Sequence, residues 1–143
     1  MKLLIDTREQ LDYACFFEKL AKIHITKTLR IGDYSLEGYE TKFSIERKTL
    51  NDFIGCTTSS RERFLRELER AKELEYFAII IECSCYDIIN HNYRSKASPN
   101  AIISTICSWS VKYQYPIFFV EAREGGALLV VKLAEHFLKN AKS

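Results

Sequence analysis

Apolar and polar positions along this chain fall into two rhythms, and their order predicts alternating strands and helices. Residues 2–6 form an apolar run closed by Asp6, a first strand, and residues 10–21 follow as a helix. Residues 23–31 alternate through Ile23, Ile25, Leu29 and Ile31, the period of a strand, which ends at a Gly32-Asp33 turn. Residues 42–48 alternate in the same way, and Glu37-Gly38-Tyr39-Glu40 between the two runs predicts a hairpin turn. A short helical turn over 50–54, a small-residue loop over 55–60 and a helix over 61–74 come next. Residues 76–82 are almost wholly apolar, as in a strand covered on both faces. After an irregular polar stretch over 84–98, a helix starts near Pro99, a residue suited to a first helical turn. A strand over 117–121 and a last helix over 125–140 complete an α/β pattern: a central mixed sheet flanked by helices.

The hairpin assigned to 23–48 also concentrates candidate chemistry. Side chains two apart on a strand share a face, so Glu46 and Lys48 point one way and Arg47 the other. Asp33, at the end of the partner strand, reaches the same spot as Glu46 and Lys48. Magnesium takes oxygen ligands, keeps several waters and binds through one or two carboxylates plus substrate phosphate. A metal held by Asp33 and Glu46 would polarise a phosphodiester and lower the pKa of a bound water, with Lys48 orienting the water or countering charge. Taken alone, the pattern has a plainer reading: Gly-Asp-Tyr is a common turn, and Glu-x-Lys on a strand is a solvated pair worth about 0.2–1 kcal/mol.

Composition fits one compact domain. A chain of 143 residues with 47% hydrophobic content can bury a real core. A formal charge of only +2 excludes the overall basicity of a tight non-specific nucleic-acid binder, so any such footprint is local. Five cysteines, at 15, 56, 83, 85 and 107, make neither a framework of pairs nor a zinc-ribbon spacing. They point to a reducing, intracellular compartment. His24, His91 and His136 are scattered without metal-ligand spacing. The sequence has no cleavable apolar leader and no apolar run near 18 residues, so neither export nor membrane insertion is expected.

Several ordered motifs give the chain a family likeness. Asp6-Thr7-Arg8-Glu9, Gly32-Asp33-Tyr34 and Glu46-Arg47-Lys48-Thr49-Leu50-Asn51-Asp52 resemble the nuclease domain of the XPF/Hef structure-selective endonucleases, of the PD-(D/E)XK superfamily. Arg63-Phe64 and Ser108-Trp109-Ser110 before Pro116-Ile117-Phe118-Phe119 extend the resemblance over nearly the whole chain. It implies a restriction-endonuclease-like fold and a divalent-metal-dependent DNA endonuclease, using Mg2+ or Mn2+, that acts near flaps, forks or other branched DNA. Asp33 and Glu46 match the metal-binding carboxylates, Lys48 the catalytic lysine, and Asp6 a first-strand acid close to the metal. Arg47 and Asp52 match positions important to activity. Asp52 also reads as a helix-start residue and Asp6 as a cap. Arg8 and Glu9 fall beside the site, and Arg63, with Arg61 as the alternative, matches a further family arginine. Two other readings stay open: a non-catalytic DNA-binding or dimer-partner subunit, and a nuclease for plain duplex DNA or RNA. The family's helix-hairpin-helix and helicase modules are not recognisable in residues 1–143, which read as a single nuclease domain.

The helix over 61–74 is the candidate DNA surface. Phe64, Leu68 and Ala71 form its apolar stripe and Arg63, Arg66 and Arg70 an adjacent face, while Glu62, Glu67 and Glu69 lie among them as ordinary helix-stabilising partners. The last two helices carry more apolar surface than a sheet contact needs. Ile102, Ile106, Trp109 and Tyr113 form one stripe, and Leu133 and Phe137 belong to a second stripe on the final helix. The resemblance assigns such surface to a homodimer or heterodimer interface; the alternative is burial within the domain.

Overall fold

A computed structural model describes residues 1–141. The elements follow in the order β1 (Lys2–Asp6), α1 (Ala14–Lys19), β2 (Ile23–Lys27), β3 (Tyr34–Leu36), β4 (Phe43–Thr49), α2 (Leu50–Thr57) and α3 (Arg61–Arg70). After a 3-10 turn (Ala71–Glu73) come β5 (Tyr76–Glu82), α4 (Cys85–Ile89), α5 (Pro99–Tyr113), β6 (Ile117–Phe119) and α6 (Arg123–Ala141). The strands form one six-stranded sheet in the order β2-β1-β3-β4-β5-β6. Strand β3 runs antiparallel to β1 and β4, while the pairs β1/β2, β4/β5 and β5/β6 are parallel. This is the expected mixed sheet, covered on both faces. Phe53, Phe64, Ile79 and Trp109 anchor the core under α2, α3 and α5, and Tyr13, Phe17, Phe43 and Val130 anchor the one under α1 and α6.

Several boundaries differ from the sequence pattern, among them the unexpected strand β3 and the extension of α2 to Thr57, and three of the others have a clear local reason. The strand expected over 23–31 stops at Lys27 and pairs with β1 as a parallel edge strand, not with 42–48 in a hairpin. Side chains capture the backbone groups that would have continued it. Leu29 N–H donates to Asp6 Oδ1 at 2.8 Å, the Leu29 carbonyl accepts from Arg8 Nη2 at 2.7 Å, and Ser44 Oγ donates to the Ile31 carbonyl at 2.7 Å. Leu29 and Ile31 are buried as their alternation required, but from a connecting segment. Helix α1 begins only at Ala14, because Leu11 has a left-handed φ of 48° and the Asp12 carboxylate accepts from Ala14 N–H at 2.9 Å. Helix α4, within the stretch expected to be irregular, is nucleated by a capping box in which Ser84 and Asp87 satisfy each other's amides.

Gly32 sits at the turn into β3, with φ at 78°. A Cβ there would collide with Ser44 Oγ, which is committed to the Ile31 carbonyl. Gly32→Ala is therefore expected to cost about 2–4 kcal/mol, from left-handed strain plus overpacking. Urea denaturation checks this, and a midpoint equal to the parent's would remove the argument. No described helix is long and apolar enough to cross a membrane.

Candidate active site

Strand β4 lies between β3 and β5, and its alternation divides Glu-Arg-Lys between two environments. Glu46 and Lys48 share a face, with Lys48 Nζ 3.5 Å from Glu46 Oε2. Asp33, at the start of β3, is fixed by its own backbone: its N–H donates to the Ile45 carbonyl and its carbonyl accepts from Asp6 N–H, each at 2.8 Å. Its Oδ2 accepts the Arg47 N–H at 2.8 Å. The three expected residues thus converge where β1, β3 and β4 meet.

The site is electrostatically loaded. Burial pushes the Glu46 carboxyl well above its ordinary range, and Asp33 beside it pushes further. Asp33 is raised too, by burial first, against the lowering effect of its hydrogen bonds with Glu46 and the Arg47 amide. Burial alone would depress Lys48, but the Glu46 and Asp33 carboxylates outweigh it and hold the ammonium charged. Two carboxyl groups pressed together in this way repel once both ionise, and a cation relieves the repulsion. The pair fits a hard divalent ion such as Mg2+ or Mn2+, which needs one or two protein carboxylates and fills its remaining positions with water and phosphate. Among the described residues, no group of three or more His, Cys, Asp and Glu side chains could hold a metal ion.

An open cleft of about 220 Å³ runs over this point, lined by Asp6, Arg8, Arg30, Asp33, Glu46, Lys48, Glu67 and Arg70 among others. A second hollow, of about 320 Å³, continues beyond Asp33 and Lys48 to Gln10, Leu11, Thr49 and Asp52. Asp6 is within the first, but both its oxygens are engaged: Arg8 Nε and Nη2 donate at 2.9 and 3.1 Å, and Leu29 N–H at 2.8 Å. Burial would raise Asp6, yet these bonds prevail and lower it. Its structural work is to hold Arg8 and the segment after β2. Asp52 is exposed in the first turn of α2, where its amide donates to the Thr49 hydroxyl, so its helix-start and cleft positions coincide.

Arg47 points to the opposite face. Its guanidinium forks onto Glu82, with Nε to Oε2 at 2.8 Å and Nη2 to Oε1 at 2.9 Å, donates to the Gln10 carbonyl at 2.8 Å and lies 3.4 Å from Glu9 Oε2. It also stacks over the Tyr13 ring at 4.9 Å, and Tyr13 OH donates to Glu82 at 2.6 Å. Glu9 is pushed up to about 7, by burial first and by Asp33 second. Only the Arg47 main chain touches the carboxylate site.

The arginines of α3 divide. Arg61 is bound to the Thr57 carbonyl and Thr105 Oγ1, at 3.0 and 3.1 Å, and lies over Trp109, so it braces α2 against α5. Arg63 and Arg66 are exposed around a hollow formed with residues 58–60, and Arg63 reaches Ser60 Oγ at 3.3 Å. Arg70 lines the first cleft with Arg30, which is paired with Glu73. The stripe of Ile102, Ile106, Trp109 and Tyr113 packs into the chain's own core, at 1%, 7%, 4% and 8% exposure, and so offers no surface to a second subunit. Leu133 and Phe137 are half-buried, with Phe137 against the Phe43 ring, and line a separate hollow with Tyr76 and His136.

Sequence reasoning missed four participants. Glu67 lines the cleft beside Lys48, and its signal was its spacing, four residues after Arg63 and three before Arg70 on one helical face. Arg30 enters from the connecting segment and has no motif of its own. Glu82 was visible as the lone acid closing an apolar strand. Tyr34, in the Gly-Asp-Tyr motif, accepts the Tyr13 N–H at 3.0 Å and stacks on its ring at 5.0 Å, fastening the segment before α1 to β3.

The mixed six-stranded sheet and its flanking helices match the fold of the XPF nuclease domain, which is of the restriction-endonuclease type. The chain superposes on XPF from Aeropyrum pernix with a TM-score of 0.75 at 23% identity, over 94% of this chain and 60% of that one. The same protein in complex with DNA gives a TM-score of 0.77 at 23% identity, over 97% and 66% respectively. The chain belongs to the ERCC4 domain family, which matches residues 5–133. A curated relative, the "Putative ATP-dependent RNA helicase MJ1505" of Methanocaldococcus jannaschii, is 30% identical over 135 residues, covering 94% of this chain and 15% of the relative. The chain therefore spans a small part of that relative and about two thirds or less of the XPF chains.

Proposed function

We propose that this chain is a divalent-metal-dependent endonuclease that hydrolyses DNA phosphodiester bonds near flaps, forks or other branch points. The observation that carries the reading is the convergence of Asp33, Glu46 and Lys48 on one wall of an open, arginine-rimmed cleft. Membership of the ERCC4 domain family and the likeness to an XPF chain complexed with DNA support it.

Asp33 and Glu46 would hold Mg2+ or Mn2+, which would supply charge neutralisation at the phosphate and acidify water there. The chain's own residues do the rest. The Arg47 amide keeps Asp33 aimed at Glu46. Lys48, held charged by the same carboxylates, sets a positive charge against the phosphate as negative charge builds on its oxygens. Arg30 and Arg70 flank the cleft where neighbouring phosphates would pass, and Arg63 and Arg66 extend that track without reading sequence. Water adds to phosphorus and gives up a proton to solvent, the bond to the leaving sugar oxygen breaks, and that oxygen takes a proton back from solvent. Because metal and proton compete for the raised carboxyls, metal affinity should climb with pH.

The test is cleavage of flap, fork, plain duplex and RNA substrates in Mg2+, Mn2+ or EDTA, by the parent and by Asp33→Ala. Expected is nicking that needs metal, ranks flap and fork first, and vanishes in EDTA and in the variant. Equal cleavage by Asp33→Ala would overturn the ligand assignment. Binding without cleavage by the parent would make the chain a DNA-binding subunit of the same fold.

A further inference from the structure

We infer that Leu11 is a wedge: an apolar side chain on the lip of the cleft that seats against an opened base step and fixes where the cut falls relative to a branch. The inference rests on the nuclease reading above and adds a specificity-determining residue to it. A single exposed leucine is ordinary on a protein surface. Three features set this one apart.

First, it is 77% exposed and holds a left-handed backbone, φ 48°, where glycine or asparagine would be at ease. A segment that merely connected β1 to α1 would gain by losing this side chain, and strain of this kind gathers at functional positions. Second, the backbone beneath it is clamped. The Gln10 carbonyl accepts from Arg47, the Leu11 and Asp12 carbonyls both accept from Arg123 Nη2 at 2.7 Å, and the Asp12 carboxylate accepts from Ala14 N–H. Arg47 is itself locked onto Glu82. The loop thus presents its leucine on a rigid mount, which a wedge needs and a lid does not. Third, it lines the second hollow, which shares Arg8, Asp33 and Lys48 with the cleft that Arg30 and Arg70 line. A strand whose phosphates follow that cleft passes the carboxylates and then meets an apolar projection, which answers to base faces and not to phosphate. Leucine is among the side chains that part base steps.

The experiment uses the whole chain and a DNA fork carrying 2-aminopurine at the junction, first in EDTA so that binding is read without cleavage. The variants are Leu11→Gly and Leu11→Asn, both of which accept the left-handed backbone, so their melting temperatures should equal or exceed the parent's. Parent binding should raise the fluorescence as the base unstacks, and both variants should lose most of that rise. In Mg2+, cleavage of a fully paired fork should fall about tenfold in the variants, and a fork with mismatched pairs at the junction should restore it, since opening a step is then nearly free. Retained fluorescence and unchanged cleavage would overturn the wedge, as would an equal loss on paired and mismatched forks, which marks a merely structural residue. A parent that neither binds nor cuts any fork would sink the nuclease reading, and the wedge with it. A parent that cuts while the variants cut identically sinks the wedge alone.

Discussion

Lys48→Met should cut metal-dependent nicking by about 10²–10³-fold while leaving the fold intact, the magnitude typical of removing one charge-stabilising group from a reacting centre. The lysine stem lies beside the Phe64 ring, with Nζ 5.6 Å from its centroid, and methionine fills the same space. What disappears is the only cation within ion-pair distance of Glu46 among the described residues. The neighbouring carboxyls, already raised, then rise further and hold protons more tightly, so the variant should also need more metal and a higher pH for any residual activity. Single-turnover cleavage with saturating DNA, at several metal concentrations, separates the two effects. A rate equal to the parent's at high metal would leave Lys48 as a charge-balancing residue with no part in the chemistry.

Arg47→Ala should act through stability. The side chain is almost wholly enclosed and answers two largely enclosed carboxylates, Glu82 and Glu9, one backbone carbonyl and the Tyr13 ring. Removing one partner of such a network leaves the others charged and unanswered, at a cost of about 3–5 kcal/mol. For a domain of this size that lowers the melting temperature by roughly 10 °C or more. Arg47→Ala with Glu82→Gln should recover part of the loss, because the second change removes the stranded charge. Thermal unfolding of the single and double variants reads this directly. If the single variant melts with the parent yet cannot cut, the arginine acts at the reaction centre by a route its contacts do not contain.

What was legible in the sequence follows the range over which each signal acts. Alternation along β4 is local, and it placed Glu46 and Lys48 on one face and Arg47 on the other, as the structure has them. The apolar run of β5 and the proline start of α5 were equally local. The pairing of β2 was not. Its alternation through Leu29 and Ile31 is real burial, but the chain leaves the sheet because Asp6 and Arg8 take the Leu29 backbone. That capture depends on residues more than twenty positions away. The apolar stripe on α5 was legible as a stripe, but not its partner: it meets Phe53 and Phe64 of the same domain. Arg30 reaches the cleft only once the segment after β2 is folded over β4, so no spacing in the sequence marks it; Glu67 shares a helical face with Arg63 and Arg70, but that spacing does not say that α3 lies over β4.

The division of Glu46-Arg47-Lys48 across the plane of the sheet has an evolutionary consequence. On the proposed function, selection for cutting would act on the first and third letters, whose side chains line the cleft, and selection for a folded domain on the second. A descendant released from cleavage, and kept only as a scaffold for a working partner, is free to drift at 46 and 48 while still held at 47. In such a lineage the surviving arginine would record the fold, and the loss of its two neighbours would record the retirement of the enzyme.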